Sequence, residues 1–512
     1  MTDPRADTSG QSEEPAGTGA IRFASAPGRR LLFATVLGSG VVAMDASVVN
    51  VALPTIGADL DAGVAGLQWI LVGYLLSLSS LILLGGALGD RFGRRRIFLY
   101  GVVWFAAASL LCGVAPTIEV LIVARILQGI GGALLTPGSL AIIQTSFHPD
   151  DRGRAVGAWS GLGGIATAIG PLVGGWLVDV ADWRWVFLVN LPLAVVTVVV
   201  ASRHVPESID PTVLGQPIDL VGSALIAVGL GATTYSLIRL PEAGLGSGTV
   251  LVSGMLGVAA LVGFVLVEQR STHPMLPLDI FASRQFTGAN LVTVAVYAGL
   301  GGFFFLLVVQ LQTSLGYSAL RAGAATLPLT LVMLALSSRF GALAARIGPR
   351  LPMTAGPIVI AVAMVMMTRI GPGAGYVTVV LPAILVFSLG LAATVAPLTA
   401  TVLGAADDHH AGIASGTNNA VARVAQLSAI ALLPGLAGIE GDDFQDAVAF
   451  TDGFRVAAMI TAGLAVVGAA IAWITIRRPL DSFTDEVRPA AAHCSLSGPP
   501  LRLAEPHGRA PD

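Results

Sequence analysis

Two charged side chains stand inside long apolar runs, where a charge is costly to keep. Asp45 lies in Val42-Ala-Met-Asp-Ala-Ser-Val-Val-Asn50, about 14 residues into a hydrophobic stretch that starts near residue 31. At about 1.5 Å per helical residue it falls near or just beyond mid-membrane. A carboxylate at that depth usually faces a cavity or a proton relay, and a low-dielectric setting suits it to reversible protonation. The competing role is structural, a hydrogen bond across helices. Arg125, in Arg125-Ile-Leu-Gln-Gly-Ile-Gly-Gly-Ala133, sits early in another apolar run. A guanidinium keeps its proton, so it needs a carboxylate, carbonyls or water beside it. Asp45 is one plausible partner, a contact the sequence alone does not show, and Gln128, one short turn away, can share the network. Asn50 and Tyr74 are candidates for lining a cavity.

A second constellation is the compact basic turn Gly86-Ala-Leu-Gly-Asp-Arg-Phe-Gly-Arg-Arg95, echoed 255 positions later as Gly341-Ala-Leu-Ala-Ala-Arg-Ile-Gly-Pro-Arg350. Gly86 and Gly93 permit close approach, while Asp90 can cap a helix or pair with Arg91, Arg94 or Arg95. Such a turn can latch two helices, and its arginines also anchor topology. In the echo Ala345 and Pro349 replace Asp90 and Arg94, so the two copies are expected to behave asymmetrically. A third is the glycine pattern of residues 157–175, whose Gly170-Pro171 and Gly174-Gly175 centre suggests a hinge or seal at a helix interface. It is no phosphate loop, because no strand precedes it and the chain has no lysine. Asn418, Asn419, Arg423 and Gln426 punctuate a late apolar run as further candidates for a substrate or coupling network. Phe303-Phe304-Phe305 is expected to be packing, and Trp69 an interfacial anchor.

Helices must position these groups. Of 512 residues 54% are hydrophobic and 12% charged, with mean hydropathy +0.80, against about 25% charge in a soluble domain. Apolar runs long enough to cross about 30 Å of hydrocarbon recur along the chain. They place spans near 31–53, 68–89, 98–115, 119–141, 156–177, 184–202, 219–240, 248–267, 286–310, 322–345, 351–368, 376–401, 412–436 and 452–476. The echo then divides the chain into two parallel six-helix repeats, 31–202 and 286–476. A 203–285 linker carries two extra helices, read as a peripheral spacer, and the polar tails 1–30 and 477–512 read as disordered and cytoplasmic. With the N terminus cytoplasmic, inner flanks hold Arg29, Arg30, Arg91, Arg94, Arg95, Arg96, Arg152, Arg154, Arg203, Arg270, Arg284, Arg346, Arg350, Arg477 and Arg478. Outer flanks hold only Arg184, Arg239, Arg321, Arg369 and Arg455, a strong positive-inside bias. Inside helices nine to fourteen no Asp or Glu is expected. Cys112 and Cys494 make no disulfide framework, and His409-His410 no metal site. Nothing points to a cofactor, to nucleic acid or to an obligatory protein partner.

Taken together, these motifs resemble the major facilitator superfamily, and within it the fourteen-helix drug:proton antiporters. The Gly86–Arg95 turn resembles the family signature after helix two, and Asp45 with Val49 to Pro54 its acidic first-helix motif. Arg125-x-x-Gln128-Gly129 resembles the helix-four coupling motif, Gly157 through Gly175 the helix-five antiporter motif, and Trp183 through Pro192 is also typical. The likeness covers roughly 31–476. It implies an all-α integral-membrane fold of two six-helix bundles plus two linking helices, in a bacterial cytoplasmic membrane with both termini cytoplasmic. It further implies export of amphipathic drugs, antibiotics, toxins or secondary metabolites by alternating access, driven by a proton gradient. Asp45 would be the protonation site, Arg125 its modulator and Asp90 part of the inner gate. The missing second-half acids favour monovalent, zwitterionic or neutral substrates. A facilitator or importer of one small metabolite, or a non-transporting membrane sensor, are the competing readings.

Overall fold

The computed structural model describes residues 21–211, 219–271, 274, 276, 278–405, 411–441 and 443–476. Residues 1–20 and 477–512 of the expected tails, and the His409-His410 loop, lie outside the described residues. Fourteen helices among the described residues are long and apolar enough to cross a membrane. They are α1 (Ala26–Asp59), α2 (Val64–Phe92), α3 (Arg94–Gly113), α4 (Ile118–Ser146), α5 (Pro149–Val180), α6 (Trp185–His204) and α7 (Leu220–Ala243). The rest are α8 (Gly248–Arg270), α9 (Arg284–Thr313), α10 (Ala319–Ile347), α11 (Arg350–Met367), α12 (Tyr376–Gly404), α13 (Gly416–Leu436) and α14 (Ala447–Thr475). Continuous hydrogen-bonded helices are what hydrocarbon demands, since it offers a backbone amide no other partner.

In the first bundle α1 packs on α5 and α6, and α4 on α2 and α3; in the second, α9 packs on α13 and α14, α12 on α10 and α11, and α11 on α14. Small residues let these backbones touch, as expected where helix association rests on close packing. A Cβ on Gly85 would stand 2.1 Å from the Ala133 carbonyl oxygen, and one on Gly131 2.6 Å from the Phe105 nitrogen. At Gly86 and Gly89 the nearest heavy atoms would be 3.7 and 3.9 Å away, so the close approach expected at Gly86 belongs to its neighbour Gly85. The echoed turn itself is real: Gly93 has φ +108° and its counterpart Gly348 φ +87°, a conformation side-chain-bearing residues rarely adopt.

Three expectations are corrected. Residues 21–30 are not a disordered tail: α1 starts at Ala26 behind a Ser25 cap, and Ile21 bridges to Phe147. Only half of the linking pair is peripheral: α8 packs on α7, but α7 packs on both α2 and α13, with Tyr235 tilted on Trp69 at 6.2 Å and Pro241 against Gly435. Trp69 is therefore packed between helices. Finally, α14 begins at Ala447, so Asp452 lies within it, exposed and paired with Arg455 at 2.8 Å.

The two ends of the molecule differ. At the far end, where α1 finishes and α2 begins, the halves are clasped. Gln68 Nε2 of α2 donates to the Ile430 and Ala431 carbonyls of α13 at 2.7 and 3.2 Å. Gln312 Nε2 of α9 donates to the Val51 carbonyl of α1 at 2.9 Å. The Asp179 carboxylate of α5 accepts the Ala319 and Leu320 amides at 3.1 Å, capping α10. At the near end, where α1 begins and α14 finishes, α5 and α10 make no such hydrogen bonds to each other's half among the described residues. Within α10 only Ala344 of Leu327–Ile347 is buried. A Cβ on Gly153, Gly157, Gly161, Gly163 or Gly164 would meet nothing within 4 Å.

Replacing Gly85 by Leu should lower the melting temperature of the purified protein, since overpacking typically costs about 1–3 kcal/mol. Gly161→Ala, with open space at its Cβ, should melt at or above the parent temperature, because alanine favours helix over glycine. Equal melting of the two variants would refute this account of the packing.

Candidate functional site

Asp45 and Arg125 meet. Both side chains have 0% exposure, and Arg125 Nη1 lies 2.6 Å from Asp45 Oδ2. The other carboxylate oxygen, Oδ1, accepts from Gln128 Nε2 and Asn190 Nδ2, each at 2.9 Å. Arg125 also donates from Nη1 to Gln128 Oε1 at 2.5 Å and from Nε to the Ile70 carbonyl at 3.1 Å. Ser109 Oγ accepts from Gln128 and Asn190 at 2.8 and 3.3 Å, and Cys112 Sγ donates to Gln128 Oε1 at 3.7 Å. The guanidinium lies over the Tyr74 ring, 4.2 Å from its centroid, with Phe187 5.7 Å away on another side.

Five helices thus converge on one carboxylate: α1 brings Asp45, α2 Tyr74, α3 Ser109 and Cys112, α4 Arg125 and Gln128, and α6 Asn190. The physics explains the density. Desolvating two charges is repaid only when good geometry and further hydrogen bonds satisfy the remaining lone pairs and protons. Here the carboxylate has three donors, and the guanidinium has two side-chain acceptors, a carbonyl and an aromatic face. Two atoms stay without hydrogen-bond partners among the described residues, Arg125 Nη2 and Asn190 Oδ1.

The network adjoins a cavity of about 350 Å³ between the halves. Arg125, Tyr74 and Asn50 line it from the first bundle; Phe304, Phe305 and Gln426 do so from the second. The aromatic run is thus split: Phe303 packs on Phe454 at 5.4 Å as expected, but Phe304 and Phe305 face the cavity. Asn50 Nδ2 donates to its own helix at Ala46 O, 3.2 Å. Asn418 turns away into its bundle, donating to Asn290 Oδ1 at 3.1 Å and Thr293 Oγ1 at 2.7 Å. Asn419 is exposed and Arg423 half-buried.

The helix-five centre lies at an interface. A Cβ on Gly170 would collide with Ser47 and Met44, and one on Gly174 with Val48, so α5 fits against α1 there. Gly175 abuts Ala319 and Leu320, and Gly323 abuts the Pro171 carbonyl, so the same stretch touches the second half.

The basic turn stands apart, at the near end. Arg94 Nε lies 2.7 Å from Asp90 Oδ1, and its Nη2 3.8 Å from Asp210. The Arg95 amide donates to Glu207 Oε1 at 3.0 Å and its guanidinium to the Val205 carbonyl at 3.1 Å. The Arg94 amide donates to Ser208 O and the Asp210 amide to Asp90 O, each at 2.9 Å. These contacts tie the turn to the strap after α6 within its own half. Arg91 stacks near Phe92 at 5.5 Å.

Sequence reasoning missed Asn190, Ser109 and Cys112 as network members, and Gln68, Gln312 and Asp179 as clasp residues. Asn190 carried a usable signal, an amide inside an apolar run.

A two-bundle helical membrane protein with a buried ion pair beside a central inter-bundle cavity has the architecture of a transporter. Residues 35–430 match the family described as Major Facilitator Superfamily, and the chain belongs to it. It is 36% identical over 449 residues to puromycin resistance protein pur8 of Streptomyces alboniger, covering 85% of this chain and 89% of that one. With the tetracenomycin C resistance and export protein of Streptomyces glaucescens it shares 33% identity, covering 85% and 81%. The fold also matches the crystal structure of a bacterial homolog of the human lysosomal transporter Spinster, with TM-score 0.62, 17% identity and 87% and 96% coverage.

Removing one partner of a buried ion pair typically costs about 3–5 kcal/mol. Arg125→Leu should therefore melt well below the parent, and the double variant Asp45→Asn, Arg125→Leu should recover part of the loss. A double variant less stable than Arg125→Leu would contradict a pairwise origin of the cost.

Proposed function

We propose that this protein exports small amphipathic molecules across the bacterial cytoplasmic membrane by alternating access, in exchange for protons. The observation that carries the reading is the placement of the Asp45–Arg125 pair at the wall of a cavity between two halves that are clasped at one end only. Resistance and export proteins among its relatives favour efflux over import. The arginine distribution supports placing both termini, and hence the near end, in the cytoplasm. On that orientation the structure is inward-facing, ready to load substrate from the cytoplasm.

Asp45 is the proposed proton carrier. Protonation would replace its charge-assisted bond to Arg125 with a weaker neutral one, freeing a guanidinium that already has one unsatisfied nitrogen at the cavity wall. The pair thereby links proton binding to the packing of α1 on α4, and so to the clasp that α1 makes with α9 through Val51. Gly170 to Gly175 gives α5 a smooth track against α1 and α10 as the halves rock. Asp90, Arg94 and Arg95 hold the inner turn and its strap as one body, the proposed cytoplasmic gate element. Asn50, Tyr74 and Gln426 are proposed cavity polarity, whereas Gln128 belongs to the buried network behind the wall and Asn418 serves the packing of α9 on α13.

In vesicles containing purified protein, a proton gradient should drive dye transport that collapses with an uncoupler. Asp45→Asn should abolish gradient-driven transport while leaving membrane insertion and gradient-independent dye exchange intact. Unchanged coupling in Asp45→Asn would remove its assigned role.

A further inference from the structure

Every charge but one near the cavity is accounted for. Asp45 spends both oxygens on Arg125, Gln128 and Asn190, leaving no free anion to greet a cationic ligand. The remaining cavity wall is apolar or neutral: Leu71, Phe304, Phe305 and Ile430 beside Ser47, Asn50, Thr330 and Gln426. Arg423 is different. It is half-buried on α13, and no hydrogen bond or ion pair meets it among the described residues.

Helical spacing fixes where it faces. Gly416, Arg423 and Ile430 recur every seven residues, with Gln426 one turn from Arg423, so the four share one side of α13. Gly416 approaches Leu83 of α2, the Ile430 carbonyl accepts from Gln68 of α2, and Gln426 lines the cavity. Arg423 therefore sits on the stripe that faces the first half, next to the cavity on its near-end side. Tyr74, between Gln68 and Leu83 on the facing helix, lines the same cavity as Gln426. An arginine left unpaired within a spanning helix is costly and marks a ligand path by default.

We propose that the cavity takes anionic amphipathic molecules, whose carboxylate or acidic phenolate pairs with Arg423 while an aromatic body lies against Tyr74, Phe304 and Phe305. The planar fork of the guanidinium suits an oxyanion, and its position on the second half lets one ligand touch both bundles. This assignment rests on the efflux reading above and narrows its substrate class.

Two xanthene dyes of similar size, anionic fluorescein and cationic rhodamine 123, separate the two claims. In vesicles with a proton gradient the parent should transport fluorescein in preference to rhodamine 123. Arg423→Gln should weaken fluorescein transport by about tenfold to a hundredfold, the equivalent of one charge-assisted hydrogen bond, and Arg423→Lys should restore part of it. Arg423→Glu should invert the preference toward rhodamine 123. Fluorescein anisotropy with detergent-purified variants of parental melting temperature reads binding separately from turnover. Transport of rhodamine 123 in preference to fluorescein, or Arg423→Gln with parental fluorescein binding, overturns the anionic assignment and leaves efflux standing. Gradient-driven movement of neither dye overturns both.

Discussion

A guanidinium with no exposure needs an anion, carbonyls or water beside it, and the first bundle is arranged around that demand. Arg125 on α4 pairs with Asp45 on α1, and the pair then requires donors for the second carboxylate oxygen. Gln128 and Asn190 supply them, and Ser109 holds both amides in place. Because the members come from α1, α3, α4 and α6, satisfying one ion pair fixes the relative depth and rotation of most of the bundle. Apolar packing alone is more forgiving: it favours contact, while directional bonds to a buried charge select one register.

Among the described residues the second bundle has no buried ion pair. The offset of 255 positions that relates the two basic turns places Leu300 opposite Asp45, and Leu300 is cavity lining. Close packing through small residues carries the load there, as at Gly301 against Gln426 and Gly356 against Thr394 and Gly390. The linking helix α7 joins the two halves at their seam, where Tyr235 meets Trp69 of one and Pro241 meets Gly435 of the other. Repeated architecture and unequal chemistry thus coexist: the turn glycines Gly93 and Gly348 keep the same backbone, while among the described residues the buried polar groups are charged in the first bundle and uncharged in the second, where Gln310 donates to Thr451 and Asn418 to Asn290.

Much of this was legible in the sequence, because hydrocarbon leaves few options. Length and hydropathy marked fourteen helices, and charges in apolar runs marked Asp45 and Arg125, with their pairing one plausible option that the structure realises. Gln68 and Gln312 were not legible. They stand near helix ends, where polar residues are ordinary, and only the crossing of helices reveals that their amides reach carbonyls of the opposite bundle. Asp452 was obscured by a helix start several residues earlier than hydropathy suggested. The linker helix α7 was misjudged because an apolar surface looks the same whether it faces lipid or another helix. For the same reason Phe304 and Phe305 could not be told from Phe303.

The far-end clasp is made of amide and carboxylate groups that accept or donate to main-chain partners, with no ion pair between the halves among the contacts described. The neutral amide bonds of Gln68 and Gln312 are each worth about 0.5–1.5 kcal/mol net and those accepted by the Asp179 carboxylate about 1.5–3, since water offers competing partners once it can enter. A few of them hold a shape without trapping it. Separating the halves there breaks no ion pair among the described contacts; it must instead part the close packing of Gly175 on Leu320 and of Gly323 on Pro171, and admit water to a small polar patch.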